Sequence, residues 1–358
     1  MVEKVRLADK EGDFAKVGLN KNHIVPREDA ERTNPEGENY EWWYFDANLD
    51  DGSQLVTTFY AKSVVNPSPG LKPAMEVEWT KTDGTAIKEK IEFKPEEFSA
   101  SKDTCDVKMG KNYFKGDLHH YEIGIFGEKI QVEVSFENIT PAWRPNLTIY
   151  YGNNEENNFS WLPATPRGHA KVKITADGQE QNLEGDCYHD HNWGDVALMK
   201  VMNHWYWGRA NIGDYTVINS YMTTEKKYGH ATIPVFLLAK QEEILADDLQ
   251  YVTYSETDKA IEPVTGKPYY QNLVFDYNSP EKHYRITYSA EKVITHDKMI
   301  DQIDGFKKLM AKMVGFDGAY LRFSGIVKLE ILEGDNVVET QSSKGLWEEA
   351  YFGKTMED

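Results

Sequence analysis

Short segments in which apolar and polar residues alternate recur along this chain, separated by turn residues. Asp51-Gly52, Asp83-Gly84 and Asp177-Gly178 each lie between two such segments. Asp-Gly between alternating segments is the strongest short signal of a β-hairpin. Strands of about five to eight residues at this spacing are typical of antiparallel sandwiches and barrels. The pattern therefore predicts an all-β protein.

A helical pattern stands out in one place only, within residues 297–314. Apolar residues recur there at spacings of three and four, which predicts an amphipathic helix. These residues are Met299, Ile300, Ile303, Phe306, Leu309, Met310 and Met313. Gly305 disfavours the helix by roughly 0.5–1 kcal/mol. We therefore expect one short helix in the C-terminal half, with its apolar stripe in the core.

The predicted strands are too numerous for one small barrel, so we divide the chain into two domains. The division falls shortly after Trp207-Gly208, before a new series of strands that begins at residues 215–222. No linker rich in Pro, Gly or Ser marks it. We predict an N-terminal domain of residues 1–208 and a C-terminal domain of residues 209–358.

Composition and charge narrow the class of protein. Of 358 residues, 40% are hydrophobic and 28% charged, as in a soluble globular protein. The 40 basic and 59 acidic residues give a net charge of −19, which repels phosphate backbones and argues against nucleic acid as a partner. No signal segment and no long apolar window are present, so we expect a cytoplasmic location. Cys105 and Cys187 are the only cysteines, and we expect reduced structural thiols.

The run Tyr188–Gly194 concentrates more chemistry than any other stretch. It reads Tyr-His-Asp-His-Asn-Trp-Gly. In an extended strand, one face carries Tyr188, Asp190 and Asn192, and the other face carries His189, His191 and Trp193. Each unpaired polar group costs on the order of 1–3 kcal/mol inside a protein, so neither face is cheap to bury. The run therefore indicates a functional site.

Two histidines separated by one residue, as in His189-x-His191, also suit a metal ion. They lie on one face of a strand, about 6–7 Å apart at Cα. With Asp195 and Gly185 nearby, the run loosely resembles the histidine motif of cupin-type metalloenzymes. A third histidine from another strand (His204, His230 or His119) would be needed, and no spacing guarantees one. We predict that His189 and His191 share no metal.

Aromatic residues surround this run in the sequence. Glu41–Asp46 contains four consecutive aromatic residues, and Trp205, Trp207 and Arg209 share one face of a predicted strand. Arg209 is thus placed to stack on an indole ring or to bind a ligand oxygen. The chain contains no phosphate-binding G-x-x-x-x-G-K-[ST], no G-x-G-x-x-G after a strand and no G-x-S-x-G. Nucleotide-dependent transfer, hydride transfer and serine-type hydrolysis are therefore disfavoured.

Taken together, four segments resemble one family, the carotenoid hydratase (hydroxyneurosporene synthase)-like group of lipocalin-related proteins. This group also includes fungal Diels–Alderases and kievitone hydratase. The segments are Glu41–Asp46, Trp161-x-Pro163, Tyr188–Gly194 and Trp205–Gly208. They follow the family's order over about residues 40–209, whereas the rest of the chain matches only as a second β-rich half.

The resemblance implies two lipocalin-like β-barrel domains packed together, with a hydrophobic pocket at or near their interface. It implies neither a metal nor an organic cofactor. Family activities add water to, or cyclise, an alkene-rich apolar substrate. The family's proposed catalytic His and Trp correspond to His191 and Trp193. They are thought to act with an acid on the next strand, but residues 215–221 contain no carboxylate, which leaves cyclase or isomerase chemistry open beside hydration.

The predicted reaction needs an acid beside an alkene, aromatic faces that stabilise a cation, and a cavity poor in water. We predict as catalytic residues His191, Asp190, Trp193 and Tyr188. The predicted substrate-binding residues are His189, Asn192, Trp43, Trp205, Trp207, Arg209 and Tyr221. The sequence thus predicts a cofactor-independent lyase or isomerase for a hydrophobic, alkene-rich metabolite such as a terpenoid or polyene. A non-catalytic carrier of an apolar ligand and a metal-dependent cupin-like enzyme remain as alternatives.

Overall fold

Two antiparallel sheets make up the fold, one in each of two compact units. A computed structural model describes residues 2–64, 67–302 and 317–356. We call Lys4–Ala197 the first unit; the second unit consists of Leu198–Asp358 together with Met1–Glu3. Every strand pairing in the described residues is antiparallel, which confirms the all-β prediction.

The first unit contains thirteen described strands in one sheet. They are β1 (Val5–Leu7), β2 (Tyr40–Leu49), β3 (Gln54–Lys62), β4 (Ala74–Thr80), β5 (Ala86–Glu92), β6 (Phe98–Ala100), β7 (Cys105–Met109), β8 (Asn112–Gly116), β9 (His120–Phe126), β10 (Ile130–Thr140), β11 (Ile149–Tyr151), β12 (Asn157–Ala176) and β13 (Gln179–Gly194). Their order is β5-β4-β3-β2-β13-β12-β10-β9-β8-β7-β6, and β11 joins β1 to β12. The strand β13 therefore lies near the middle of the sheet, between β2 and β12.

The second unit contains nine described strands in the order β17-β16-β15-β14-β22-β21-β20-β19-β18. They are β14 (Met202–Ile212), β15 (Tyr215–Thr224), β16 (Thr232–Lys240), β17 (Glu243–Ala246), β18 (Val252–Ile261), β19 (Pro268–Asn278), β20 (His283–Lys298), β21 (Ala319–Glu333) and β22 (Asn336–Tyr351). The strand β14 contains both residues of the predicted domain boundary, 208 and 209, and pairs with β15 and β22 across that point.

Helical structure is scarce in the described residues. One α-helix, α1, spans Glu11–Lys16. Short 3-10 helices span Pro26–Asp29, Pro95–Glu97, Leu198–Lys200, Lys226–Tyr228, Leu249–Tyr251 and Met299–Gln302. Most of the helix predicted at 297–314 falls on residues 303–316, which lie outside the described residues. At its beginning, residues 297–298 end β20 and residues 299–302 form a 3-10 helix instead. No helix in the described ranges is long and apolar enough to cross a membrane.

The three Asp-Gly pairs connect consecutive strands, as the pattern predicts. At the turn between β12 and β13, Asp177 and Gly178 have φ angles of 52° and 74°. Two positive φ angles match a type I′ turn, whose twist suits a two-residue hairpin. Gly185 lies on β13 shortly before the polar run and passes close to β2. A Cβ added at this position would lie 2.0 Å from the Asn48 carbonyl oxygen. The turn and the close contact fix the register of β13.

The core of the first unit lies on one face of this sheet. Trp43 and Phe45 of β2 and Cys187 of β13 are all buried there, and so is Cys105 of β7. Both cysteines are free thiols, as predicted. His189 and His191 follow Cys187 on the same face of β13, and both are fully buried. The histidines therefore project into an apolar core rather than toward bulk solvent.

Candidate functional site

The polar run divides between the two faces of β13, as its alternation predicts. His191 lies opposite Trp43 of β2 and Leu162 of β12 in the two registers. Asp190 lies opposite Tyr44 and projects to the other face. The structure thus brings His189, His191, Trp193 and Trp43 together on the core face. It places Tyr188, Asp190 and Asn192 on the opposite face.

On the core face, Glu41 holds His191. The Glu41 carboxylate is fully buried, and its Oε1 lies 2.7 Å from His191 Nε2. The same carboxylate accepts bonds from the backbone nitrogens of Arg32 (2.7 Å) and Thr33 (2.8 Å), and from the Thr33 hydroxyl. The two backbone nitrogens and the hydroxyl donate to Glu41, and an ionised carboxylate can only accept, so an ionised Glu41 requires His191 Nε2 to be the donor. This contact fixes the orientation of the imidazole.

A second carboxylate, Asp29, lies between the two histidines. Its Oδ2 is 3.1 Å from His189 Nε2 and accepts a 2.7 Å bond from the Tyr121 hydroxyl. Its Oδ1 is 3.4 Å from His191 Nδ1. Burial alone would raise the pKa of Asp29, but the charges of His189 and His191 and the bonds from His189 and Tyr121 outweigh it and lower that pKa. Asp29 is therefore held as a carboxylate in the core.

The two histidines differ in how their nitrogens are used. His189 Nδ1 lies 2.8 Å from the Tyr44 carbonyl oxygen, which can only accept a proton. With Asp29 on Nε2, both nitrogens of His189 have partners. His191 Nδ1 and Asp29 Oδ1 are instead buried without a hydrogen-bond partner of good geometry among the described residues. Unpaired buried atoms of this kind call for a functional or structural explanation.

Aromatic rings enclose His191. Trp43 stacks on it at 4.6 Å between ring centres and 14° between planes, and Trp193 lies at 4.7 Å and 45°. Trp43 itself is fixed by a 3.2 Å bond from Nε1 to the Asp29 carbonyl oxygen. Trp193 is only half-buried, and the exposed Arg32 lies over its ring at 5.4 Å. The cluster therefore reaches the surface beside Trp193.

The opposite face of β13 forms a separate network around Asp190. Its carboxylate accepts bonds from Tyr188 Oη (2.7 Å), Trp161 Nε1 (2.9 Å) and Asn192 Nδ2 (2.7 Å). Burial raises the pKa of Asp190 to about 6, although these three donors lower it in part. Because successive side chains of a strand project to opposite faces, this network lies on the other side of β13 from His191.

The remaining predicted residues belong to the second unit. Trp205 donates a 3.3 Å bond to Glu348 and packs edge-on against Phe352 at 4.6 Å. Trp207 and Arg209 share its face of β14 and are half-buried. Tyr221 of β15 lies on the apolar core of the second unit and stacks on Tyr254 at 3.9 Å.

One group of described residues offers a set of metal ligands: Asp29, Cys105 and His189, whose ligand atoms all lie within 4.8 Å of one another. A carboxylate oxygen, a sulfur and an imidazole nitrogen suit zinc. In this structure, however, His189 Nε2 contacts Asp29 Oδ2, which also accepts the Tyr121 bond. Burial raises the pKa of the Cys105 thiol, and the charge of Asp29 raises it further. In this structure two of the three residues, Asp29 and His189, thus contact each other directly.

Sequence reasoning missed several members of the cluster. Glu41 is the second residue of the aromatic strand β2 and shares a face with Trp43, so the same alternation that grouped the histidines could have indicated it. Asp29 ends a short 3-10 helix, and Tyr121 lies on β9. No motif marks either residue, because each reaches His189 through tertiary contacts across 160 and 68 residues of sequence.

Comparison with known proteins gives matches in sequence and in fold. The family model for carotenoid hydratase CrtC matches residues 138–243. The quinolone epoxide rearrangement protein asqO of Emericella nidulans is 23% identical over 192 residues, which are 50% of this chain and 53% of that protein. The chain spans about half the length of the curated relatives it matches.

Two solved structures share the fold. CghA with Sch210972 has a TM-score of 0.61 at 12% identity and covers 99% of both chains. Kievitone hydratase from Nectria haematococca has a TM-score of 0.53 at 12% identity, over 92% of this chain and 93% of that one. The predicted resemblance to the carotenoid hydratase-like family is confirmed by the family match, whose span includes both the run Tyr188–Gly194 and the strand β14.

Proposed function

We propose that this chain is a cofactor-independent lyase or isomerase that acts on a hydrophobic, unsaturated small molecule through proton transfer at His191. The relatives support this class, because their names describe a hydratase and an epoxide rearrangement protein. Both reactions start when an acid activates an alkene or an epoxide. A buried proton donor beside aromatic rings is what such chemistry requires.

The observation that carries the proposal is the arrangement around His191. Glu41 holds Nε2 at 2.7 Å, while Nδ1 has only Asp29 Oδ1 at 3.4 Å. An imidazole with one nitrogen fixed by a carboxylate and the other free to exchange a proton is the arrangement of a general acid or base. A proton carried by Nδ1, the nitrogen that faces Asp29 Oδ1, would be the one transferred to the substrate.

The rings beside His191 suit a cationic intermediate. Protonation of an alkene leaves a positive charge on carbon, and indole faces stabilise such a charge through their quadrupole. Trp43 and Trp193 both lie within 5 Å of the imidazole, ring centre to ring centre. For hydration, water then adds to the cation and returns one proton to Nδ1. For isomerisation or cyclisation, the cation loses a proton to the same nitrogen.

A substrate would reach His191 from the side of Trp193. His191 is fully buried, and Trp193 is its only half-buried ring neighbour among the described contacts. Arg32 covers this ring from outside. Movement of these two side chains would open a path that leaves Glu41 and Asp29 in place. The indole rings of Trp43 and Trp193 favour a hydrophobic substrate over a polar one.

The test uses His191→Gln, since the glutamine amide nitrogen occupies a position close to Nε2 and keeps the bond to Glu41. The protein is incubated with a carotenoid, a polyene and a quinolone epoxide, and the products are analysed by chromatography and mass spectrometry. Hydration adds the mass of one water molecule, whereas isomerisation changes retention without changing mass. We expect His191→Gln to reduce turnover by a factor on the order of 100 or more, the usual contribution of a general acid or base.

The matched control is His169→Gln, the same change at an exposed histidine of the same unit. Its turnover should equal that of the wild type. Full turnover in a folded His191→Gln protein would refute the role of His191. Binding of the compounds without any product would favour the alternative of a carrier for apolar ligands.

A further inference from the structure

The second unit contains a buried carboxyl group that the proposed function does not use. Glu349 lies on β22, opposite Tyr206 of β14 and Leu321 of β21, and is fully buried. Trp347, two residues earlier on the same face, is part of the unit's apolar core. Neither Glu349 oxygen has a hydrogen-bond partner of good geometry among the described residues. Glu349 therefore projects into the core, where the hydroxyls of Tyr206 and Tyr351 lie near its carboxyl group without forming a hydrogen bond of good geometry.

The adjacent residue shows what a satisfied carboxylate on this strand looks like. Glu348 projects to the opposite face and accepts bonds from Tyr320 Oη (2.6 Å) and Trp205 Nε1 (3.3 Å). The chain thus gives one of two neighbouring glutamates well-placed donors, whereas neither oxygen of the other has a donor of good geometry among the described residues. Buried polar groups in native proteins are nearly always paired, so a group left over commonly indicates an absent ligand or water.

Phenol and carboxyl groups surround Glu349. Tyr206 pairs with it across the strands, and Tyr254 lies 6.3 Å from Tyr206, ring centre to ring centre. Tyr254 donates a 2.7 Å bond to Glu256, and Tyr351 donates a 2.8 Å bond to the Pro268 carbonyl oxygen. Tyr254 and Tyr351 thus donate bonds of good geometry to other acceptors, although the Tyr351 hydroxyl also interacts with Glu349. Aromatic rings therefore make up much of the surroundings of Glu349.

We propose that Glu349 is the polar anchor of a ligand site inside the second unit, where its carboxyl group donates a hydrogen bond to the oxygen of an otherwise apolar molecule. The ligand class is a neutral hydrophobic compound with one carbonyl, hydroxyl or ether oxygen. This site is separate from the one at His191, because all of its residues belong to Leu198–Asp358.

The protonation state of Glu349 agrees with a donor role. Burial raises the pKa of this carboxyl well above its usual range, the nearby hydroxyls of Tyr351 and Tyr206 lower it only in part, and the charge of Glu256 raises it again. A carboxylic acid that stays neutral near pH 7 can donate a hydrogen bond, whereas a carboxylate cannot. An aromatic wall with one such donor is the usual composition of a site for small apolar ligands.

The test compares Glu349→Leu with Glu349→Gln. Leucine removes the donor and fills the space, whereas glutamine keeps a neutral donor. The probes are two hydrophobic ketones, β-ionone and acetophenone, and analogues in which a methylene group replaces the carbonyl oxygen. Binding is measured by calorimetry in the full-length protein. The same titration in His191→Gln identifies any binding that belongs to the first unit.

We expect Glu349→Leu to bind at least one ketone roughly tenfold more weakly, the effect of one lost hydrogen bond. Glu349→Gln and the control Glu348→Gln should stay within about threefold of the wild type. Affinity for the hydrocarbon analogues should not change, and the melting temperature of Glu349→Leu should equal or exceed that of the wild type, because an unpaired buried group is removed.

Three results would overturn the proposal. The first is wild-type protein that binds neither ketone at a site independent of His191. The second is unchanged ketone affinity in Glu349→Leu. The third is a Glu349→Leu protein that fails to fold or loses affinity for ketone and hydrocarbon equally, which would make Glu349 a structural group only.

Discussion

Glu41 accepts four hydrogen bonds, more than a neutral side chain of the same shape can accept. Glutamine has one oxygen acceptor and presents an NH2 group where the second oxygen was. In Glu41→Gln, some of the donors from Arg32, Thr33 and His191 would therefore face another donor. We expect a loss of about 3 kcal/mol in the free energy of unfolding, measured by urea denaturation.

The control for this change is Glu38→Gln, at an exposed position three residues earlier. A surface substitution of this kind changes stability by less than about 0.5 kcal/mol. Equal stability of the two variants would show that the hydrogen bonds of Glu41 do not require a charged carboxylate. It would also contradict the view that Glu41 fixes the orientation of His191.

Asp190 predicts a pH dependence of stability. Its pKa rises from 3.8 to about 6 on folding because of burial. Between these pH values the folded protein binds more protons than the unfolded chain. The free energy of unfolding therefore falls as the pH rises through this window. The loss of unfolding free energy caused by ionising the buried Asp190 is absent below about pH 4 and reaches about 3 kcal/mol above pH 6.

The measurement is the difference in unfolding free energy between wild type and Asp190→Asn from pH 4 to pH 7. Wild type should lose stability relative to Asp190→Asn as the pH rises to 6, and the difference should then level off. Asp103→Asn, at an exposed position, should follow the wild-type curve. A difference that stays constant from pH 4 to pH 7 would contradict the raised pKa of Asp190.

At the scale of elements, the strand β13 explains why part of the site was predictable. Period-two alternation places His189, His191 and Trp193 on one face whatever the rest of the fold does. It cannot supply their partners, because Asp29 and Glu41 approach from a 3-10 helix and a neighbouring strand. The same alternation puts Asp190 on the far face, although the sequence-based set combined both faces. The contacts that decide chemistry are therefore tertiary.

The position of β14 shows a similar limit. Its sequence, Trp205–Gly208 included, predicts a strand, and a strand is present. Which neighbours it takes depends on pairings with β15 and with β22, which lies more than 130 residues later. Alternation fixes which residues share a face of this strand but leaves its partners undetermined. For this reason the residues around Glu349 have no signal in the sequence.

The contacts of β13 give a physical reason for the prediction that His189 and His191 share no metal. Three of their four ring nitrogens lie within 3.1 Å of a protein oxygen. The fourth, His191 Nδ1, lies 3.4 Å from Asp29. An ion bound by both imidazoles would have to displace Asp29 or Glu41. We expect elemental analysis of protein purified without added metal to find far less than one zinc, iron or copper per chain.

The control is a chelator-treated sample, which should keep the melting temperature and activity of the untreated protein. Stoichiometric metal that chelation removes along with activity would overturn the prediction and support the metal-dependent alternative. In that case, Cys105→Ser would show whether the set Asp29, Cys105 and His189 holds the ion.

At the scale of the whole molecule, the excess of acidic residues acts on stability. A net charge of −19 makes the compact state repel itself, whereas the surface ion pairs, such as Lys88–Glu78 and Lys90–Glu76, each contribute little. Salt screens both the repulsion among the acidic residues and the attraction within the ion pairs over about 8–10 Å. The repulsion involves more charges than the ion pairs do, so screening weakens it more. We therefore expect the melting temperature at pH 7 to rise by a few degrees, about 2–4 °C, when sodium chloride increases from about 0.01 to 0.15 M. Near the isoelectric point of about 5.0 the net charge vanishes, and the same addition should leave the melting temperature unchanged or lower it slightly. A lower melting temperature with salt at pH 7 would mean that the ion pairs outweigh the repulsion.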